Sequence, residues 1–119
     1  MGHVRVTLEI ANPVDRSRSV TVDNVLVDTD ATRTTIPRAL AQQLGLEILG
    51  SLDVRTASGV ERLDRTYARV RLTDRESFND VWVSDTYPGV LLRVVTLEAM
   101  ALGVDPKNER LIDVEQLLL

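Results

Sequence analysis

The sequence predicts a mostly β fold with two short helices, and three observations carry that expectation. Apolar residues alternate with polar ones along residues 4–10, 20–22 and 68–72, the period of a strand with one wet face. Apolar residues make up 44% of the 119 and aromatics only 3%, so Val, Leu and Ile must build the interior. Such β-branched richness favours sheet. Turn-forming clusters punctuate the chain closely and leave room for helices only near residues 37–44 and 97–101.

Taken in order, Val4, Val6, Leu8 and Ile10 alternate with Arg5, Thr7 and Glu9, and Asn12-Pro13-Val14-Asp15 ends that strand. Arg16-Ser17-Arg18 reads as a loop, and Val20 and Val22 restart the alternation. Val25-Leu26-Val27 is apolar without interruption, as expected of a strand covered on both faces. Pro37 suits the first turn of a helix, where its missing N–H costs nothing. Ile36, Leu40 and Leu44 recur on one helical face, and Gly45 stands where such a helix stops. Residues 46–56 and 60–72 read as the arms of a long hairpin turning at Ala57-Ser58-Gly59. Residues 73–79 are polar and read as a turn, residues 80–84 as a strand, Tyr87-Pro88-Gly89 as a turn and residues 90–92 as a short buried strand. Leu97, Met100 and Ala101 mark a helix expected to end at Gly103. Asp105-Pro106-Lys107-Asn108 turns the chain into a last strand at residues 111–114. No linker or tandem repeat divides the chain, so a single domain over residues 1–119 is expected.

Bulk properties narrow the function classes. The net charge is −4, whereas a phosphate-binding face wants an excess of cations, so nucleic acid is not an expected partner. There is no Cys, which removes disulfides, thiolate metal sites and a Cys nucleophile. The start, Met1-Gly2-His3-Val4-Arg5, lacks the apolar core of a signal peptide. The apolar stretch over residues 90–104 is cut by Arg93 and Glu98, too early to span a bilayer. A cytoplasmic protein with no membrane contact is expected.

The most informative segment is Asp28-Thr29-Asp30-Ala31, which follows Val25-Leu26-Val27. A carboxylate where a buried strand ends is costly unless it is satisfied or used. As an ordinary turn it would be unremarkable, since Asp favours turns. As an oxygen-ligand loop of the calcium-binding kind it fails, because Arg33 and Ala39 stand where Gly and Glu are needed. No metal and no cofactor are called for.

Residues 25–45, from that strand through Asp28-Thr29 and Thr34-Thr35-Ile36-Pro37 to the short helix, resemble the active-site segment of the retropepsins, the aspartic proteases of retroviral type. A second retropepsin-like motif follows at Leu91-Leu92-Arg93-Val94-Val95-Thr96-Leu97-Glu98-Ala99-Met100. The continuation Leu102-Gly103-Val104-Asp105-Pro106 and Arg110-Leu111 looks like the bacterial members, so the likeness covers almost the whole chain in the correct order.

The resemblance implies a closed acid-protease barrel and a homodimer in which each protomer gives one aspartate, Asp28, at the two-fold axis. Two such carboxylates share one proton. The ionised one takes a proton from a water that attacks the scissile carbonyl of an extended peptide or protein substrate, and the neutral one donates to the developing oxyanion. Thr29 would hold the two loops together through its hydroxyl. Asp30 and Ala31 would line the substrate channel, with Ala57, Ser58 and Gly59 as the tip of a closing flap.

Two positions depart from the family pattern: Asp30 and Arg93 stand where it has glycine. Two consequences are open. Asp30 and Arg93 meet as an ion pair beside the site, or Asp30 sets a second carboxylate near Asp28. In the second case the chain is a peptide-binding or assembly module with impaired catalysis. The remaining candidates read blandly. Asp85-Thr86 is a surface turn, His3 is an exposed residue near the terminus, and Trp82 packs in the core or an interface. Arg62, Arg65, Arg69 and Arg71 form a solvated face. Leu117-Leu118-Leu119 reads as an exposed apolar end; the resemblance implies burial against a partner subunit, and the alternative is disorder.

Overall fold

The computed structural model describes residues 4–114. His3 and Leu117-Leu118-Leu119 therefore lie outside the described residues. The elements run β1 (Arg5–Ala11), β2 (Ser19–Val27), β3 (Thr35–Pro37), α1 (Arg38–Gln43), β4 (Gly50–Thr56), β5 (Gly59–Leu72), β6 (Arg75–Ser84), β7 (Leu91–Leu92), α2 (Val94–Ala99), β8 (Leu102–Asp105) and β9 (Arg110–Asp113). The protein is mostly β with two short helices, as expected.

One seven-stranded sheet has the order β1-β2-β7-β3-β6-β5-β4, with a further β1–β5 pairing, and β8 and β9 form a separate antiparallel pair. β1 and β2 are antiparallel, and the register slips between Val6 and Leu8, opposite Asn24 at φ 58°. That extra residue is a bulge, which bends the strand and keeps Val25 and Val27 facing inward. The short β7 then lies parallel to β2, with Val27 opposite Leu92, and antiparallel to β3. This junction positions the candidate site.

Ile10, Val25, Ile36, Leu44, Val70, Val81, Val83 and Leu92 are among the most deeply buried side chains. None of the four aromatics joins them. Trp82 is only half-buried on the outer face of β6, and Tyr67, Phe78 and Tyr87 are exposed, so of the two places expected for Trp82, core or interface, the core is corrected. Aliphatic side chains fill most of the interior because the strands carry them at most inward positions.

Several boundaries also differ from expectation. β6 begins at Arg75, so residues 75–79 are strand rather than turn: Ser77 and Asn79 point inward and bond each other, 2.7 Å from Nδ2 to Oγ. A polar residue can sit on a buried strand face when its partner is beside it. Pro37 caps α1 from an extended conformation instead of entering its first turn, and it belongs to the unforeseen β3. Residues 46–49 are not strand. α2 stops at Ala99, Ala101 takes φ 57°, and Gly103 lies inside the unforeseen β8. Gly45 does end α1, at φ 64°, and a Cβ there would run into the Arg18 guanidinium. Arg69 is buried rather than solvated, its guanidinium held between Glu76 at 2.7 Å and Glu9 at 3.1 Å.

Candidate active site

Two parallel strands that end side by side deliver the next residues of each to one place. β2 ends at Val27 and β7 at Leu92, and these two are register partners. The residues that follow are Asp28 and Arg93. The Asp28 N–H donates to the Leu92 carbonyl at 2.9 Å, which carries the strand pairing one step further and fixes the Asp28 backbone.

The Asp28 carboxylate is engaged through both oxygens. Oδ1 accepts the Asp30 backbone N–H at 3.1 Å, closing a tight turn over Thr29. Oδ2 faces Nη2 of Arg93 at 3.7 Å. The anticipated ion pair between Asp30 and Arg93 is thus absent among the described residues, and the arginine reaches Asp28 instead. Register explains the outcome, since Arg93 lies directly across from Asp28 while Asp30 is carried outward by the turn. Asp30 and Thr29 are exposed, whereas the Asp28 side chain keeps about a third of its surface in solvent.

The Arg93 contact is loose. At 3.7 Å it is a Coulombic approach rather than a charge-assisted hydrogen bond. Its Nε is buried without a partner, an arrangement that costs about 1–3 kcal/mol per orphaned group. The Arg93 backbone, in contrast, is tightly held. Its N–H donates to Oγ1 of Thr34 at 3.0 Å, and that hydroxyl bonds Oγ1 of Thr96 at 2.7 Å in a fully buried pair. The Val95 N–H donates to the Thr32 carbonyl at 3.1 Å, and that of Val94 reaches the Ala31 carbonyl at 3.5 Å. Residues 28–34 are thereby tied to the start of α2. Sequence reasoning missed Thr34 and Thr96. Thr96 carried a signal, as a lone hydroxyl between Val95 and Leu97 where a buried one must find a partner, whereas Thr34 stands among polar residues and carried none.

The hairpin of β4 and β5 turns at Ala57-Ser58. Thr56 Oγ1 donates to the Gly59 carbonyl at 3.0 Å and accepts the Ser58 N–H at 3.3 Å, and Gly59 takes φ 127°, open to glycine. Ala57, Ser58 and Gly59 are all exposed, and no hydrogen bond joins them to Asp28 among the described residues. Near the hairpin root, Arg38 bridges Asp64 at 2.6 Å and Asp85 at 2.9 Å, while Ser51 on β4 donates to Asp64 at 2.5 Å. The Ser51 hydroxyl and Arg38 hold the Asp64 carboxyl below the ordinary range. Arg38 does the same for Asp85, and the two acids raise the Arg38 guanidinium in turn. Asp85-Thr86 is an exposed turn, as expected. Cavities of about 530 and 450 Å³ lie elsewhere, one between β1 and the β8–β9 pair and one beside Tyr67, and Asp28 lines neither. Among the described residues no three His, Asp or Glu side chains gather as a metal cage.

The family model of gag-polyprotein putative aspartyl proteases matches residues 18–92 of this chain, a span that contains Asp28-Thr29 and runs to Leu92. The chain belongs to the retropepsin-like aspartic protease family. The fold agrees. The Simian Foamy Virus (mac) protease superposes with a TM-score of 0.56 at 19% identity, over 79% of this chain and 91% of that one. A retropepsin-like aspartic protease from Rickettsia conorii gives 0.58 at 19% identity, over 87% and 77%. A Legionella pneumophila protein of unknown function gives 0.51 at 12% identity, over 96% and 98%. No curated protein sequence matches the chain. Among the described residues no helix of this retropepsin-like chain is long and apolar enough to cross a membrane.

Proposed function

We propose that the chain is a homodimeric aspartic endopeptidase acting on extended peptides in the cytoplasm, with one Asp28 from each protomer flanking the attacking water. The observation that carries this reading is the placement of Asp28. It is a partly exposed carboxylate at the mouth of the β2–β7 junction, with its backbone fixed by the Leu92 carbonyl. One such loop per chain supplies one carboxylate, so a water held between two requires a second copy. The exposed Thr29 hydroxyl is then free to reach across the axis. Asp30 and Ala31 border the bound strand, and Ala57, Ser58 and Gly59 close over it. We also read the β1–β5 pairing as the seam of a closed barrel, and residues 1–119 as one domain.

In the reaction, one Asp28 carboxylate removes a proton from water, the oxygen adds to the scissile carbonyl, and the partner's Asp28 as the neutral acid donates to the oxyanion. Collapse expels the amine, which takes the proton now held by the first Asp28, while the partner's Asp28 recovers its own from the oxygen as the carbonyl re-forms. Replacing Asp28 with Asn is expected to abolish peptide cleavage while leaving the melting temperature and the oligomeric state unchanged. Turnover that persists in that variant sinks the assignment.

One observation favours a second reading, a dimer that captures a peptide strand without cutting it. The Arg93 guanidinium faces Oδ2 of Asp28, and a guanidinium neither accepts nor releases a proton. While it holds that position, the oxygen it faces is withdrawn from acid–base work. Peptide binding by the natural chain with no cleavage product would select this reading over the first.

A further inference from the structure

The inference concerns the substrate class of the Asp28 site and rests on the reading of that site as peptide-binding. We propose that Arg93 is a specificity-determining residue that selects peptides carrying a carboxylate side chain next to the residues lying over Asp28. Arg93 exchanges Asp28 for that carboxylate when the peptide binds.

Three features of the site support it. First, the guanidinium is not committed. Its contact with Asp28 is 3.7 Å long, beyond hydrogen-bond range, and the side chain keeps 17% of its surface exposed beside the partly exposed carboxylate. A planar guanidinium bonds a carboxylate best through two parallel N–H donors, and the recorded approach to Asp28 uses neither fully. Second, Asp28 does not need Arg93 to remain in place. Its Oδ1 accepts the Asp30 N–H and its own N–H donates to Leu92, so the carboxylate stays positioned when the arginine leaves. Third, only the Arg93 side chain has to move. Its backbone is clamped by the buried Thr34–Thr96 hydroxyl pair and by the bond from Val95 to Thr32. The switch is therefore a rotation of a long side chain about a fixed root.

The alternative partner within the chain is Asp30, two residues from Asp28, and the turn directs it into solvent. There it borders the bound strand, and its repulsion of an incoming anion is weakened by solvent and salt while the largely buried Arg93 charge is screened less. A peptide with a neutral side chain at the same place leaves Arg93 on Asp28. A peptide with a carboxylate draws Arg93 away and frees Oδ2 to face water. Recognition of the substrate and release of the base are then a single event.

The test is binding, so that it does not depend on turnover. The full-length Asp28→Asn chain is titrated calorimetrically with two extended peptides that differ only by Glu or Gln beside a central apolar pair. The Glu peptide is expected to bind about tenfold tighter, the worth of one charge-assisted hydrogen bond. The preference should shrink at high salt, vanish in Arg93→Met and survive in Arg93→Lys. Melting curves establish that each variant is folded. Equal affinity for the two peptides overturns the proposal, as does a preference that persists in Arg93→Met, and so does the absence of binding by either peptide. Failure of the Asp28 assignment looks different: it is cleavage by the natural chain that continues in Asp28→Asn.

Discussion

At the scale of single residues, the site depends on hydroxyls as much as on charges. Thr34 Oγ1 takes the Arg93 N–H and pairs with Thr96 in a region without solvent. Replacing Thr34 with Val preserves the shape but leaves the Arg93 N–H and the Thr96 hydroxyl without partners. A buried polar group left so costs about 1–3 kcal/mol. With two groups orphaned, Thr34→Val is therefore expected to lower the stability measured by urea unfolding by at least that amount. The second Val, in Thr34→Val with Thr96→Val, should cost less than it does alone, because the orphaned hydroxyl is then gone. Additive losses would show that the pair is not the structural unit described here.

At the scale of elements, ion pairs reinforce strands that already pair in the sheet and tie α1 to them. Arg38, at the start of α1, holds Asp64 on β5 and Asp85 just beyond β6, and Asp64 also takes the Ser51 hydroxyl of β4. The root of the β4–β5 hairpin is thereby tied to the helix. Both carboxylates have values lowered from 3.8 in the folded protein. A lowered folded value means stability that is complete above the ordinary value and lost as the pH falls through the folded one. The tie is thus intact at neutral pH and fails only below about pH 4. Arg38→Met is expected to flatten the fall of the melting temperature between pH 5 and pH 2 (window set by the ordinary carboxylate range, about 4). An unchanged acid limb in that variant would show that other carboxylates govern acid unfolding. Arg69, itself buried, joins Glu9 on β1 to Glu76 on β6 across β5 and holds the Glu76 carboxyl below its ordinary range.

At the scale of the whole molecule, the sheet order brings the two motif segments together. β2 and β7 are far apart in sequence and become parallel neighbours, with β3 on the other side of β7. The site they frame is open to solvent on one side, which is where the proposed second copy docks. If folding and association are linked, the melting temperature must rise with protein concentration. Sedimentation and melting across a hundredfold dilution should show dimer dissociation and a falling midpoint together (about 2.7 kcal/mol of linkage for that ratio at saturation). A monomer with a concentration-independent midpoint would remove the two-fold site and the mechanism built on it.

Local periodicity and turn residues were enough for the mostly β class, the approximate place of both helices and the hairpin turn at Ala57-Ser58. The turn at residues 73–79 was misread because Ser77 and Asn79 look like loop residues until each is seen to satisfy the other inside a sheet. β3 and β8 were invisible because strands of three or four residues have too few alternations to register, and they exist only through their neighbours. The same holds for Arg69, whose burial needs Glu9 from a distant strand. The partner of Arg93 was also a tertiary decision. Charge alone paired Arg93 with Asp30, whereas the parallel register of Val27 with Leu92 sets Arg93 across from Asp28 and turns Asp30 away.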